Sequence, residues 1–259
     1  MAITLRSPWE IELIQKAGIV VAEVLSQLKN AARAGVKTSE LDLLARQIAA
    51  VAGAENLFEG VRNSTSKRPF PGAVCTSINE QVVHGIPSSD VVLRDGDILS
   101  IDYGARLNGY CADAAITIGI GEISQTARRL LDVTKKALDI AIEQARPNIK
   151  WSYAAYKMQR FAELAGFSVV RDLVGHGIGT RMHEEPQVPN YVDREFGAND
   201  FTLAEGMVLA VEPMINAASS SIRTLNDGWT VVTRDGKLSA HFEHTIVITK
   251  DGCRVLTAG

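Results

Sequence analysis

Two aspartates lie in a segment that otherwise predicts two buried strands. The segment is GDILSIDYGARLNGYCADAA, residues 96–115, and its Asn108-Gly109 pair favours a two-residue hairpin turn. With that turn, Asp102 and Asp113 become diagonal neighbours on one face, because side chains alternate along a strand. Two like charges in an apolar setting share a proton, reach water or hold a cation. For an aspartate pair taken alone, a solvated hairpin face is the more common outcome.

A weak internal repeat supplies more candidate ligands. Each half of the chain has a helical segment, then a histidine in an HGI tripeptide, then two acids in strand-like runs. The members are His84, Asp102 and Asp113 in the first half, and His176, Glu212 and Glu243 in the second. Four carboxylates are too many to bury without positive charge, and no Lys or Arg stands beside them at strand spacing. Carboxylates with imidazole suit two adjacent divalent ions of the Mn, Fe, Co or Zn kind.

Each fragment of this set also has an ordinary structural interpretation. A lone His84 or His176 is more often a hydrogen-bonded loop histidine than a ligand. Glu212 could cap backbone amides at a strand end, and His183 with the acids that follow it could form a solvated loop. His241 shares the face of Glu243 by strand alternation, whereas the second histidine flanking Glu243 points away. The spacing is not HExxH, so a helix-borne zinc protease site is not indicated.

Apolar periodicity predicts four helices. The first begins at Pro8, because Ser7 is a good N-cap residue and Glu10 completes a capping box. Three more are expected at about 39–52, 126–146 and 152–165. The predicted strands lie between and after these helices.

Composition and charge are those of an ordinary globular protein. The 259 residues are 46% hydrophobic and 22% charged, with a formal net charge of -3. No basic run occurs, which disfavours nucleic-acid binding. No apolar stretch approaches the roughly 20 residues that span a bilayer, and the N-terminus does not resemble a signal peptide. Three cysteines without a CxxC pair favour a reducing cytosol.

No low-complexity linker divides the chain. We therefore expect one α/β (α+β) domain over residues 1–259. It would consist of two similar halves, about 1–146 and 147–259, with the site on the pseudo-two-fold axis between them.

Five stretches together resemble the type I methionine aminopeptidases in their short bacterial form. They cover nearly the whole chain and are highly specific to that group: CTSINEQVVHGIP, GDILSIDYGARLNGYCADAAIT, GHGIGTRMHEEPQVPNY, GMVLAVEPMIN and IRTLNDGWTVVTRDGKLSAHFEHTIVIT. The resemblance implies the pita-bread fold, a curved antiparallel sheet backed by helices. It also implies a metal-dependent aminopeptidase that removes the N-terminal methionine of newly made proteins and prefers a small second residue.

The resemblance assigns roles that the repeat alone leaves open, including which HGI histidine binds metal. It implies metal ligation by Asp102, Asp113, His176, Glu212 and Glu243. Glu212 would also take the proton of the attacking water. His183 would hydrogen-bond the scissile carbonyl oxygen, and His84 the backbone nitrogen on the leaving side.

The resemblance also outlines a methionine pocket. Its walls would include Phe70, Cys75, Met182 and Trp229, for which plain core packing is the alternative interpretation. Phe70 and Met182 depart from the tyrosine and phenylalanine often found at these two positions. The chemistry should survive these changes, whereas side-chain preference depends on them.

Partners and cofactors follow from the same resemblance. We expect two divalent ions (Co, Mn, Fe or Zn), N-termini of nascent polypeptides as substrates, and a cytoplasmic monomer without nucleic-acid or membrane partners. Action near the ribosome is implied, although no ribosome-docking segment is evident.

Other functions fit the sequence less well. Only about 70 residues precede the first site segment, too few for the extra domain of proline-specific relatives. Type II enzymes carry a large insert between the last histidine and the last glutamate of the site, and no such insert separates His183 from Glu243 here. A pita-bread binding module without catalysis would lack ligands that are present here. Another dinuclear metallohydrolase would not carry the WTVVTRDGKLSAHFEHTIVIT stretch.

Overall fold

The computed structural model describes residues 3–64, 66, 68–194, 197 and 199–258. Within them, four helices match the predicted ones to within two residues: α1 (Pro8–Ala31), α2 (Thr38–Ala52), α3 (Gln125–Gln144) and α4 (Trp151–Leu164). No helix in these ranges is both long and apolar enough to cross a bilayer.

The first helix begins as its local sequence dictates. The Ser7 side chain accepts the backbone N–H of Glu10, and the Glu10 carboxylate accepts the backbone N–H of Ser7. Pro8 occupies the first turn, where its missing N–H costs nothing. These contacts form the predicted capping box.

Fifteen strands are assigned in the described residues. The first half contains β1 (Glu55–Asn56), β2 (Cys75–Ile78), β3 (Gln81–Val83), β4 (Ile98–Leu107) and β5 (Tyr110–Gly119). The second half contains β6 (Ser168–Val169), β7 (Gly175–Gly177), β8 (Glu184–Val188), β9 (Val208–Val211), β10 (Met214–Asn216), β11 (Ile222–Thr224), β12 (Val231–Thr233), β13 (Ser239–His241), β14 (Glu243–Thr249) and β15 (Gly252–Val255).

The main sheet is antiparallel and contains nine strands. Its order is β1-β4-β5-β14-β9-β7-β8, with β2 also paired to β4 and β15 to β14. Two three-stranded sheets, β13-β10-β6 and β11-β12-β3, complete the β structure. Strands of both halves therefore meet in one sheet, where β5 pairs with β14.

The hairpin of β4 and β5 has the predicted register. Its turn is Asn108-Gly109, both at positive φ, and Asp102 lies opposite Ala115. Asp113 lies opposite Gly104 and therefore diagonal to Asp102. The Asn-Gly pair sets this register because both of its residues tolerate left-handed backbone.

Helices cover one face of this hairpin and leave the other for the site. Leu99, Ile101 and Tyr103 are fully buried in a core that includes apolar residues of α1 and α2. Asp102 alternates with them and points to the opposite face. A second core joins α3 and α4 to β9, β10 and β13. The predicted class, a curved antiparallel sheet backed by helices, is confirmed.

Candidate active site

The site is built on neighbouring rows of side chains on one face of the sheet. Asp102 of β4 lies opposite Ala115 of β5, and Ala115 lies opposite Glu243 of β14. Directly paired residues share a face, so the two carboxylates flank a buried alanine. Asp113 precedes Ala115 by two residues and points to the same face. The small alanine leaves room above the sheet between the acidic groups.

A second row brings in the imidazole of His176. Thr245 follows Glu243 by two residues on β14 and pairs with Ala210 of β9, which in turn pairs with His176 of β7. One ligand atom from each of Asp113, His176 and Glu243 lies within 4.8 Å of the other two. These three groups are close enough to bind one ion.

Glu212 lies in the two-residue break between β9 and β10, so the expectation that it lies within a strand was wrong. Pro213 follows it and cannot donate a ladder hydrogen bond, which explains the break. The Glu212 carboxylate lies 3.6 Å from Nε2 of His176 and 3.7 Å from Nε2 of His241. It therefore adjoins the Asp113, His176 and Glu243 group at His176.

The orientation of His176 suits a metal ligand. Its Nδ1 lies 2.9 Å from the carbonyl oxygen of Gly177, which can only accept, so Nδ1 carries the proton. Nε2 therefore keeps its lone pair, and it lies 3.5 Å from Oδ2 of Asp113. A backbone carbonyl behind the ring is a common way to orient a ligating histidine.

Burial raises the pKa values of all four carboxyl groups. The pKa of Asp113 is raised to about 6. The pKa values of Asp102, Glu212 and Glu243 are raised well above their usual range by burial and by repulsion among the carboxylates. A cation placed among them would remove this repulsion.

In the part of the chain that the structure describes, only histidines form ion-pair contacts with this cluster. They are His176 and His241, and burial lowers their pKa values to about 4 and about 3, so neither carries charge at neutral pH. Oδ1 of Asp102 is buried without a hydrogen-bond partner. Four clustered carboxyl groups without a compensating cation, together with unused ligand atoms, fit a divalent metal.

One cavity of about 310 Å³ contains every site residue expected from the sequence. Its lining comprises Phe70, Cys75, His84, Asp102, Asp113, His176, Met182, His183, Glu212, Trp229 and Glu243, with Phe58, Val61, Arg62 and Asn63. The last four were not predicted, because no motif marks them. The structure thus brings together residues from both halves of the chain.

The cavity has an apolar end. Phe70 and Trp229 meet edge to face with ring centroids 5.3 Å apart, and Cys75 packs with them. All three are buried but line the cavity. Cys75 lies opposite Asp102 in the pairing of β2 with β4, so the apolar end adjoins the carboxylates directly.

Two further histidines line the same cavity. The His183 ring lies 4.4 Å from the His176 ring, and the His84 ring lies 6.5 Å from the ring of Trp229. Burial lowers the pKa of His84 to about 4, and it lowers the pKa of His183 as well. Both rings are therefore neutral at pH 7 and able to donate one N–H. His84 has φ of 58°, which is uncommon for a residue with a side chain.

Two contributors to the site could not be assigned from the sequence. His241 is buried against Glu212, and only its alternation with Glu243 pointed toward the site. Thr245 hydrogen-bonds Asp113 across 132 residues of sequence, for which no local signal exists.

The fold and this group of ligand atoms define a metallopeptidase. The family model of metallopeptidase family M24 matches residues 12–250. The chain belongs to that family.

Similarity to named relatives extends over the full chain. A methionine aminopeptidase of Clostridium perfringens is 45% identical over 255 residues, covering 98% of each chain. Methionine aminopeptidase 1 of Bacillus subtilis is 45% identical over 97% of this chain and 98% of its own. The crystal structure of a methionine aminopeptidase from Thermotoga maritima superposes with a TM-score of 0.93, at 38% identity and full coverage of both chains.

These similarities confirm the resemblance indicated by the five motifs, the pita-bread fold and the prediction of a metallo-aminopeptidase. The ligand assignments of individual residues, the number of ions and the metal identity stay predictions.

Proposed function

We propose that the protein removes the N-terminal methionine of newly made polypeptides and prefers a small second residue. The observation that carries this proposal is one cavity in which a carboxylate and imidazole cluster adjoins an apolar pocket. A metal-binding end and a side-chain pocket in one cavity are what an aminopeptidase needs in order to select its terminal residue. The named relatives support the choice of methionine.

Five residues would hold the metal: Asp102, Asp113, His176, Glu212 and Glu243. Four carboxylates and one imidazole suit two divalent ions of the Mn, Fe, Co or Zn kind, since an imidazole is unusual at Ca or Mg sites. When bound, such ions lower the pKa of water and bind the free α-amine of a peptide. The Asp113, His176 and Glu243 cluster supports at least one ion position.

Glu212 would accept the proton of the attacking water at a carboxylate oxygen. Its raised pKa favours holding that proton, and it lies beside the His176 ligand. From its position in the break between β9 and β10, Glu212 lines the cavity.

The two neutral histidines would orient and stabilise the peptide bond. His183 would donate an N–H to the scissile carbonyl oxygen as negative charge develops there, a contribution typically of about 3 kcal/mol. His84 would contact the backbone nitrogen on the leaving side. The short distance between the His183 and His176 rings supports a role for His183 next to the metal.

The methionine side chain would bind among Phe70, Cys75, Met182 and Trp229. These walls are apolar and partly sulfur-containing, which suits a polarizable thioether. The preference for a small second residue comes from the resemblance to the family.

The cellular setting is part of the same proposal. We infer action on nascent chains near the ribosome, as a cytoplasmic monomer without membrane or nucleic-acid partners. All three cysteines are free, as is usual in a reducing compartment.

The test measures the release of free methionine from Met-Ala-Ser and of leucine from Leu-Ala-Ser. The metal-stripped protein is supplied separately with Mn, Fe(II), Co or Zn, and Asp102→Asn serves as the ligand-deficient control. Metal-dependent cleavage of the methionine peptide alone supports the proposal.

If the folded protein releases no methionine with any of the metals, a binding module would be favoured instead. Equal cleavage of the leucine peptide would reject the methionine pocket. A parallel comparison with Met-Leu-Ser tests the second-residue preference.

A further inference from the structure

A buried arginine of the N-terminal segment contacts the loop that carries His183. The Arg6 side chain is only 7% exposed, and its backbone N–H donates to the carbonyl of Gly206 at 2.7 Å. Its guanidinium donates to Glu10 of α1 at 3.2 Å and to Glu184 at the start of β8. Arg6 thereby connects the first helix to a strand that lies 178 residues further along the chain.

Glu184 closes the loop on which His183 lies. Its Oε2 accepts from Arg6, while its Oε1 accepts the backbone N–H groups of Thr180 at 3.0 Å and Arg181 at 3.1 Å. The Thr180 hydroxyl adds a third contact at 3.2 Å. One carboxylate thus holds both ends of the short segment that presents Met182 and His183 to the cavity.

The carboxylate of Glu184 is ionised in this setting. Burial alone would raise the pKa of Glu184, but the N–H of Arg181 and the charge of Arg6 lower it below its usual value. The Glu184 side chain is only 9% exposed, whereas Thr180, Arg181 and His183 of the same segment are exposed.

The other side of the loop fits tightly against Arg6. A Cβ at Gly179 would collide with the Arg6 guanidinium, so a side chain there would displace the guanidinium from its present position. The carbonyl of Gly179 accepts the N–H of Cys111 on β5 at 2.7 Å. The loop is therefore held between β5 and the N-terminal segment.

We propose that Arg6 is a positioning residue for catalysis, which acts through Glu184 to hold His183 within hydrogen-bond reach of the substrate carbonyl. This inference rests on the role of His183 in the proposed function. Without Arg6, Glu184 loses its buried cationic partner, and the loop gains alternative positions for His183. Because the His183 hydrogen bond strengthens as charge develops on the carbonyl oxygen, the loss should appear in kcat more than in KM.

The test uses the enzyme loaded with its most active metal and compares Arg6→Ala, His183→Ala and the double variant. Partners that orient a reacting group typically contribute about 10-fold to 100-fold, so Arg6→Ala should lower kcat by about that factor with little change in KM. In the His183→Ala background the same substitution should change kcat by less than about threefold, since its effect passes through His183. Equal factors in both backgrounds, or an unchanged kcat for Arg6→Ala, would overturn the inference.

Two conservative variants and one control complete the design. Arg6→Lys keeps a positive charge beside Glu184 and should therefore retain part of the kcat that Arg6→Ala loses. Glu184→Gln should lower kcat as Arg6→Ala does. These two variants test the inference even if the Arg6→Ala protein does not fold. Glu10→Gln removes the negative charge of the other partner of Arg6 and keeps a capping-box residue, so kcat should stay within about twofold.

Amide hydrogen exchange tests the inference independently of activity. Arg6→Ala should speed exchange at Thr180 and Arg181, whose N–H groups donate to Glu184, while Glu10→Gln should not. A wild-type protein that releases no methionine would contradict the proposed function, whereas unchanged exchange in Arg6→Ala would contradict the positioning role.

Discussion

Thr245 and Asp113 are bound to each other across the junction of β14 and β5. The Asp113 N–H donates to the Thr245 hydroxyl at 3.1 Å, and this hydroxyl lies 2.8 Å from the Asp113 carbonyl oxygen and 3.1 Å from its Oδ1. Thr245 is fully buried. One hydroxyl therefore fixes both the backbone and the carboxylate of a predicted metal ligand.

Replacing this hydroxyl should weaken both the fold and the metal site. We expect Thr245→Val to lower the free energy of unfolding by about 1–3 kcal/mol, because a buried N–H loses its acceptor. Metal affinity should fall by about 10-fold to 100-fold, since Asp113 loses its orienting partner. Urea unfolding and titration calorimetry measure the two effects.

Thr134→Val is the matched control for that substitution. Thr134 is equally buried, but its hydroxyl bonds the Leu130 carbonyl within α3. The Thr134→Val variant should leave metal affinity unchanged. A similar loss of affinity in both valine variants would show that Thr245 acts only through general stability.

Metal binding should become tighter as pH rises. Asp113 has a pKa raised to about 6, and the other three carboxyl groups have pKa values raised further above their usual range. A raised pKa means that the metal-free fold holds protons that must leave when the metal binds, so affinity increases as pH rises through about 6 and above. His176, with a pKa of about 4, is already neutral and releases none.

Calorimetry at pH 7 in two buffers of different ionisation enthalpy measures the proton release. We expect the release of at least one proton for each metal ion bound. In a second comparison near pH 6, the Asp113→Asn variant should release fewer protons than the wild-type protein. Affinity that is constant between pH 5.5 and 7.5 would contradict the assignment of these carboxylates as ligands.

Phe70 should contribute to recognition of the first residue. We expect Phe70→Leu to remove the edge-to-face contact with Trp229 and to lower kcat/KM for Met-Ala-Ser by about 10-fold or more. The loss should lie mainly in KM, because the pocket holds the side chain in both the ground state and the transition state.

Phe167→Leu provides the comparison, since Phe167 is buried in the core beside α4. It should lower stability without raising KM. If Phe70→Leu also leaves KM unchanged, Phe70 is a core residue rather than a pocket wall.

Gly18 should not tolerate the alanine that most helices prefer. A Gly→Ala substitution inside a helix ordinarily raises the free energy of unfolding by about 0.5–1 kcal/mol. At Gly18, however, a Cβ would collide with the carbonyl oxygen of Leu256. We expect Gly18→Ala to lower stability by about 1–3 kcal/mol in urea unfolding. Ser26→Ala on the exposed side of the same helix should be neutral or slightly stabilising. A stabilised Gly18→Ala variant would mean that the C-terminal segment moves away at little cost.

The sequence by itself determined the features that depend on neighbouring residues. Ser7 and Glu10 define the start of α1, and the Asn108-Gly109 turn sets the register that makes Asp102 and Asp113 diagonal neighbours. Both arise from hydrogen bonds and backbone preferences within a few residues. The motifs also indicated the family, whose model matches residues 12–250.

Only the tertiary structure decided how distant segments combine. Pairing of β14 between β5 and β9 puts Glu243 beside Ala115 and brings His176 to the same site. The contacts of Thr245 with Asp113 and of Arg6 with Glu184 join residues 132 and 178 positions apart. No local pattern encodes such pairs, since they form only when the sheet brings distant segments together and buried polar groups take the partners that are then within reach.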